Sequence, residues 1–300
     1  MQRSIIIGRP TITFDTIDST NDYAISLVSN SNPNEGTVIW AQYQSKGRGQ
    51  IGSNWSADPG VSLLMSVILK PRFLMAYQQF TLNILVSLAI RSALASYDID
   101  THIKWPNDIY IDRKKICGIL IQNVLQGKGI KNAILGIGLN VNQDHFDLPL
   151  PNPTSMRMVS GTVFDIADVK STVCIHLQEY YHRLMEDGFE LLKEEYVELL
   201  YLKDEVSEYE IDEEVVKGKI LGITDIGKLE FKKNSNLKPY ELFTQEPYPN
   251  KVCKMLLIEF RQKEREISFK GIDFQNVNEQ NFPKYAYRKG SARGGDITFT

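Results

Sequence analysis

Residues 102–142 read HIKWPNDIYIDRKKICGILIQNVLQGKGIKNAILGIGLNVN, and the architecture is most legible there. Ile109 and Ile111 alternate with Asp108, Tyr110 and Asp112, the period of two that a half-buried strand shows. Asp112 to Lys114 offers a tight turn, and Lys115 opens a return strand, ICGILIQNV. The glycine-bearing cluster at 126–129 turns the chain again, and AILGIGLNVN follows as a third strand. Strands joined by turns this short run antiparallel, because a parallel pair needs a crossover of about a dozen residues or more. The expectation is an antiparallel meander, not a βαβ series.

Working outward, FDTID from residue 14 reads as extended. STNDYAISLV then reads as a short helix entered through Ser19 and Thr20, with Ser19 and Asp22 spaced as in a capping box. Residues 37–42 form a β-rich run and 61–69 (VSLLMSVIL) another, with the glycine-punctuated segment 45–54 between them as a loop. Residues 79–97 are apolar on nearly every face, which predicts a helix packed across a sheet. Helical patterns resume over 169–201 and close a first domain, 1–203. The acidic run 204–214 reads as an irregular linker. A small β module is expected over 215–274, with strands in 215–231 around a turn at 225–227, an insertion at 232–262 and a last strand in REISFKGIDF (265–274). The polar tail 275–300 has too few apolar residues to build a core and is expected to be flexible.

With 300 residues, 42% hydrophobic and 24% charged, the chain can bury more than one core. A formal net charge of -3 gives no global cationic field for nucleic acid or anionic lipid. No stretch of eighteen apolar residues and no signal-peptide h-region is present, so a soluble, cytoplasmic protein with no membrane partner is expected. Cys117, Cys174 and Cys253 show neither CxxC nor Cys/His spacing, which argues against a disulfide framework or a zinc site. The four scattered histidines are assigned no catalytic role.

Three clusters carry chemical potential. Gly47-Arg48-Gly49-Gln50-Ile51-Gly52, with Trp55 close behind, can bring backbone N–H groups and a guanidinium against an anion, although a plain glycine-rich turn explains it as well. It is not a Walker A loop, and no helix follows directly as a dinucleotide fold requires. Trp55 could stack on a purine or simply fill a core. Lys104-Trp105-Pro106-Asn107-Asp108, followed by Lys115, gathers polar groups at one end of a hairpin; an Asx turn and a solvated lysine are the alternative. In Gly136-Ile137-Gly138-Leu139-Asn140-Val141-Asn142, glycines weaken a strand unless something must approach closely, or unless a bulge lies there.

Read together and in order, DSTND (18–22), GRGQIGSNW (47–55), KWPND (104–108), KICGIL (115–120) and GIGLNVN (136–142) resemble the biotin protein ligase family. The likeness extends through KGKILGITDIGKLEF (217–231) to FKGIDF (269–274). It implies an α+β fold: a mixed sheet with flanking helices, like class II aminoacyl-tRNA synthetases, followed by a small SH3-like β-barrel. It also implies activation of biotin with ATP, with Mg²⁺ as cofactor, and transfer from biotinyl-5'-AMP to a lysine of a biotin carboxyl carrier protein domain of a biotin-dependent carboxylase. No helix-turn-helix precedes Phe14, so DNA binding is not expected; a homodimer is left open.

By the same resemblance, Ser19, Thr20, Gln44 and the Gly47 backbone would hold the ureido ring, and Arg48 would face the biotin carboxylate. Lys115 would bridge that carboxylate and the α-phosphate, and with Arg48 it forms the catalytic pair. Gly49, Gln50, Trp55, Lys104, Asn107, Asn140 and Asn142 would line the ATP and adenylate side, with Asp108 in the Mg²⁺ region. One departure stands out: the family pattern commonly has arginine where Gln50 stands. The rival readings are a lipoate or octanoyl ligase sharing the fold, and a non-catalytic biotin-binding module, which would be expected to have lost Lys115 or Arg48.

Overall fold

The structure is a computed structural model that describes residues 5–50, 54–146, 152–211, 214–233 and 240–242. Two compact units are present, divided for the most part between Tyr201 and Leu202.

In the first unit, β1 (Thr11–Ile17) leads into α1 (Thr20–Asn30), which crosses to β2 (Val38–Gln44), parallel to β1. β3 (Ser62–Leu69) returns antiparallel, and α2 (Phe80–Ala95) follows. The meander then comprises β4 (His102–Lys104), β5 (Asp108–Ile111), β6 (Lys114–Gln126) and β7 (Gly129–Asn140). The strands form one seven-stranded sheet in the order β1-β2-β3-β7-β6-β5-β4. Only the β1–β2 pair is parallel, so the sheet is mixed, and its long central pairing of β6 with β7 is the antiparallel hairpin that 115–142 predicts. Among the described residues, three further helices follow: α3 (Met156–Ser160), α4 (Ile166–Glu186) and α5 (Phe189–Glu198). α4 and α5 break apart at Gly188, whose φ of 86° suits a residue without a side chain.

Alternation along the strands sorts the helices to the two faces. Lys170 of α4 lies over the Trp40 ring, whereas the neighbouring Ile39 packs with Ala24 of α1, so α4 and α1 occupy opposite faces. β3 is buried along its whole length, as expected for a central strand covered on both sides. The face shared with α1 includes Ser66, Gly136 and, two residues on, Gly138. The site described below is built on that face.

The second unit contains a four-stranded antiparallel sheet, β8 (Ser207–Ile211), β9 (Glu214–Ile223), β10 (Leu229–Lys233) and β11 (Tyr240–Leu242), in the order β11-β10-β9-β8. The stretch 204–214, expected to be an irregular linker, instead supplies β8, paired with β9 in continuous register. Its alternation Ser207-Glu208-Tyr209 buries Tyr209 edge-on against Phe231, and acidic composition masked that strand. The turn at 225–227 is present, with Gly227 at a φ of 84°. The segment 265–274 and the tail 275–300 lie outside the described residues.

Candidate functional site

The N-terminus of α1 is tied into the sheet by buried polar groups. Ser19 is its N-cap and Thr20 and Asn21 its first residues, all buried. The Thr20 backbone N–H donates to Gln44 Oε1 at 2.7 Å. A backbone N–H is an unambiguous donor, so the Gln44 carboxamide is fixed with its Nε2 on the other side, toward Gly47, where a Cβ would stand 3.3 Å from it. Asn21 is fixed likewise: its Nδ2 donates to the Leu120 carbonyl and to Gln122, leaving Oδ1 to accept from Ser66 Oγ at 2.6 Å. Ser66 Oγ also lies 2.8 Å from Thr20 Oγ1, which in turn is 3.0 Å from Gln44 Oε1. With the Ser66 proton given to Asn21, the Thr20 hydroxyl donates either to Ser66 or to Gln44. This network engages Gln44 Oε1 and leaves Nε2, on the Gly47 side, as the remaining donor at the head of α1.

The glycine-rich loop starts beside this network. Trp55 N donates to Gly47 O at 3.0 Å and Arg48 bridges to Asn54, pinching the loop at its base. A Cβ on Gly47 would overlap the Trp55 carbonyl, so the pinch requires glycine there. Arg48 extends to Asp22, with Nη1 3.0 Å from Oδ1, and Lys46 pairs with Asp18 at 2.7 Å. Past Gly49, Gln50 donates to Asn107 Oδ1 at 3.1 Å, which fastens the loop to the KWPND hairpin.

The Trp55 ring lies flat in a slot on the sheet made by the cross-strand pair Gly118 and Gly138. A Cβ on either would stand 2.7 Å or less from the indole, so these two glycines exist on this face to admit it. Lys115 Nζ is 5.8 Å from the same ring and 2.7 Å from Asp108 Oδ1. Strict alternation from Gly118 would turn Lys115 to the opposite face. A bulge prevents this: Ile109 pairs with Cys117 but Tyr110 with Lys115, so Ile116 is the extra residue and Lys115 is re-aimed to the side of Trp55. Its backbone is anchored by N–H to Asn152 O and C=O from Thr154 N. Lys104 sits 4.9 Å over the Tyr110 ring, and burial pushes the Tyr110 hydroxyl well above the usual phenol range. Asn107 is buried and donates to the Ile119 carbonyl while accepting from Gln50. Cys117 is buried, which raises its thiol pKa, and Cys174 is pushed up to about 11 by burial, so both stay protonated and unreactive.

Sequence reasoning singled out most of these side chains, and the structure gathers them on one sheet face. Two are placed otherwise. Asn142 exchanges both ends of its amide with the Phe164 backbone, 2.8 Å and 2.9 Å, and clasps the chain ahead of α4. Asn140 is buried and donates to Thr154 O at 3.0 Å, fixing the segment that runs beside Lys115. Sequence alone gives Asp22 only a capping role, takes Asn21 only as part of DSTND, and assigns no role to Ser66 and no bulge at Ile116. Ser66 carried a signal, being the only polar residue inside the apolar run LLMSVIL. Among the described residues no group of three His, Cys, Asp or Glu forms a metal cage. The lone Asp108 carboxylate suits an ion that is held chiefly by substrate phosphates, the usual mode of Mg²⁺.

Residues 13–140 match the biotin/lipoate A/B protein ligase family. The chain is 33% identical over 240 residues to the bifunctional ligase/repressor BirA of Bacillus subtilis, 78% of this chain and 72% of that protein. To the BirA of Bacillus spizizenii it is 35% identical over 192 residues, 63% of this chain and 58% of the relative. Biotin protein ligase from Aquifex aeolicus in complex with biotin and ATP shares the fold with a TM-score of 0.64 at 25% identity, covering 75% of this chain and 95% of that one. The mixed sheet with α1 and the glycine-rich loop on one face is thus the catalytic fold of the biotin protein ligases. The chain belongs to the biotin/lipoate protein ligase family.

Residues 220–300 separately match the N-terminal domain of CRISPR-associated protein TM1802. Both stretches that the ligase pattern does not call for, 232–262 and 275–300, lie inside that match. No helix among the described residues is long and apolar enough to cross a membrane.

Proposed function

We propose that the protein is a cytoplasmic ATP-dependent biotin protein ligase acting on a biotin carboxyl carrier protein domain of a biotin-dependent carboxylase. The observation that carries this reading is the re-aimed Lys115. It brings its cation to the side of Trp55, on the sheet face that also meets the head of α1 and the Arg48 loop.

The reaction demands that arrangement. A biotin carboxylate oxygen attacks the α-phosphorus of ATP and pyrophosphate leaves with the bonding pair. Two anions must meet, and at about 4 Å their repulsion is roughly 4 kcal/mol at an effective dielectric of about 20. Arg48 holds the carboxylate and Lys115 bridges it to the α-phosphate, offsetting the repulsion with charges placed beforehand. Ser19, Thr20 and the Nε2 of Gln44 hold the ureido group beside the Gly47 backbone. Trp55 lies along the adenine, Asn140 fixes the adjoining segment, and Gly49, Gln50, Asn107 and Lys104 border the phosphates. Mg²⁺ entering with ATP, next to Asp108, would supply further charge on the leaving pyrophosphate. The acceptor lysine, neutral when it attacks, takes the acyl carbon and AMP departs.

The first half-reaction needs no acceptor, so the full chain should support biotin-dependent exchange of labelled pyrophosphate into ATP. Exchange stimulated by lipoate and not by biotin would move the assignment to the lipoate branch of the family. No exchange with either, despite biotin binding, would favour a binding module.

Gln50 offers a second measurement. Its bond to Asn107 closes the loop without charge, and a net hydrogen bond is worth about 0.5–1.5 kcal/mol, so Gln50→Ala should speed release of the acyl-adenylate about 2- to 10-fold. Gln50→Arg should slow it by adding a cation beside the phosphate. Equal release from all three proteins would show that this position does not hold the intermediate.

A further inference from the structure

Each of Lys46, Arg48 and Lys115 is matched by a carboxylate: Asp18, Asp22 and Asp108. The Arg48–Asp22 pair differs from the others in what Asp22 gives up to make it. Asp22 is the third residue of α1, where an acidic side chain ordinarily turns back to the N-cap N–H while the N-cap hydroxyl takes its own. Half of that box is present, and it is long: the Asp22 N–H reaches Ser19 Oγ at 3.4 Å. The reciprocal half is missing among the described residues, because the Asp22 carboxylate is directed to Arg48 instead. Both side chains are partly exposed, 36% for Arg48 and 40% for Asp22, so the pair is open to competition from solvent and solute.

We infer that Asp22 sets the charge selectivity of the site: it occupies Arg48 until a ligand carboxylate displaces it. The inference rests on the ligase reading, in which Arg48 receives the carboxylate of the acid. A neutral ligand seated on Thr20 and Gln44 leaves the pair intact. An anionic one must break it, and gains from Arg48 only what remains after Asp22 is released and its repulsion of the incoming charge is relieved. Asp22 therefore lowers affinity for the free acid relative to an uncharged analogue, and it keeps an empty site from collecting other anions.

The test compares biotin with biotinol, its neutral alcohol analogue, by titration calorimetry on the full chain and on Asp22→Asn. Asp22→Asn should bind biotin about 3- to 10-fold tighter and biotinol unchanged, because a partly exposed ion pair is worth only a small factor of this size. The gain should shrink as salt is raised, since salt screens exposed charges. Asp22→Glu, which keeps the charge, should restore the wild-type ratio, and matching circular dichroism spectra guard against misfolding. An equal change for both ligands would make Asp22 a loop tether only, and selective weakening of biotin would mean that Asp22 aims Arg48 at the ligand; either result overturns the inference. Failure of the wild-type chain to bind either compound would overturn the ligase reading itself.

Discussion

Lys115→Ala is expected to slow formation of the acyl-adenylate by about 100-fold or more, the loss typical of one well-placed transition-state charge, while biotin affinity changes far less. The substitution removes charge and little else. The backbone of residue 115 is held by main-chain bonds to Asn152 and Thr154, which alanine keeps, and the bulge that orients the position depends on the pairing of β5 with β6. Part of the loss has a second origin. Asp108 Oδ1 lies 2.7 Å from Lys115 Nζ and its side chain is only 25% exposed, so truncating the lysine leaves an unpaired, largely buried carboxylate beside the proposed phosphate position. Adding Asp108→Asn to Lys115→Ala should then recover some of the rate, and the size of the recovery separates the missing cation from the stranded anion. Single-turnover adenylation is the measurement, since it isolates the chemical step from product release. An unchanged rate would remove Lys115 from the reaction.

What could be read from the sequence follows the range of the forces involved. The hairpin at 115–142, the cap at Ser19 and the glycine turns are local, set by alternation, by a hydroxyl and by backbone freedom, and each is written within a few residues. Mixed topology is not local. That β1 pairs parallel with β2 while β3 lies next to β7 depends on packing across the sheet, and it came from family resemblance rather than from the residues. The bulge is the instructive omission. Period-two reading fixes the face of each side chain only while the register holds. An extra residue at Ile116 inverts the face that strict alternation would give Lys115, the residue proposed to bridge the carboxylate and the phosphate. Asn140 and Asn142 show the converse limit. The run GIGLNVN suggests both amides lie on one strand, but β7 ends at Asn140, and the two amides meet the Thr154 and Phe164 backbones instead. Residues 204–214 read as a linker because their acidic composition outweighs the short alternation that buries Tyr209 in β8.

Gly136→Ala should lower stability by about 2–4 kcal/mol, from overpacking and broken buried hydrogen bonds together. The added Cβ would overlap Asn21 Oδ1 and stand 2.8 Å from both Cγ and Nδ2. Asn21 has nowhere to go. Its Nδ2 is committed to Leu120 O at 3.2 Å and Gln122 Oε1 at 2.9 Å, its Oδ1 to Ser66 Oγ at 2.6 Å, and the residue is buried. Pushing it aside frees Ser66, and Ser66 is also 2.8 Å from Thr20 Oγ1, so the disturbance reaches the hydroxyl and the Gln44 amide proposed to hold the ureido group. Biotin affinity should fall with stability. Gly138→Ala, two residues along the same strand, meets the Trp55 indole instead, a partly exposed side chain at the root of a loop, which can shift. That variant should therefore unfold near the wild-type denaturant midpoint and weaken ATP rather than biotin. A double-mutant cycle decides whether the clash is the cause: in an Asn21→Ala background the cost of Gly136→Ala should largely vanish, because the atoms it strikes are gone. Additive losses, or a Gly136→Ala protein within about 0.5 kcal/mol of wild type by urea denaturation, would show that the strand can yield at this point and that the buried network does not hold the head of α1 in place.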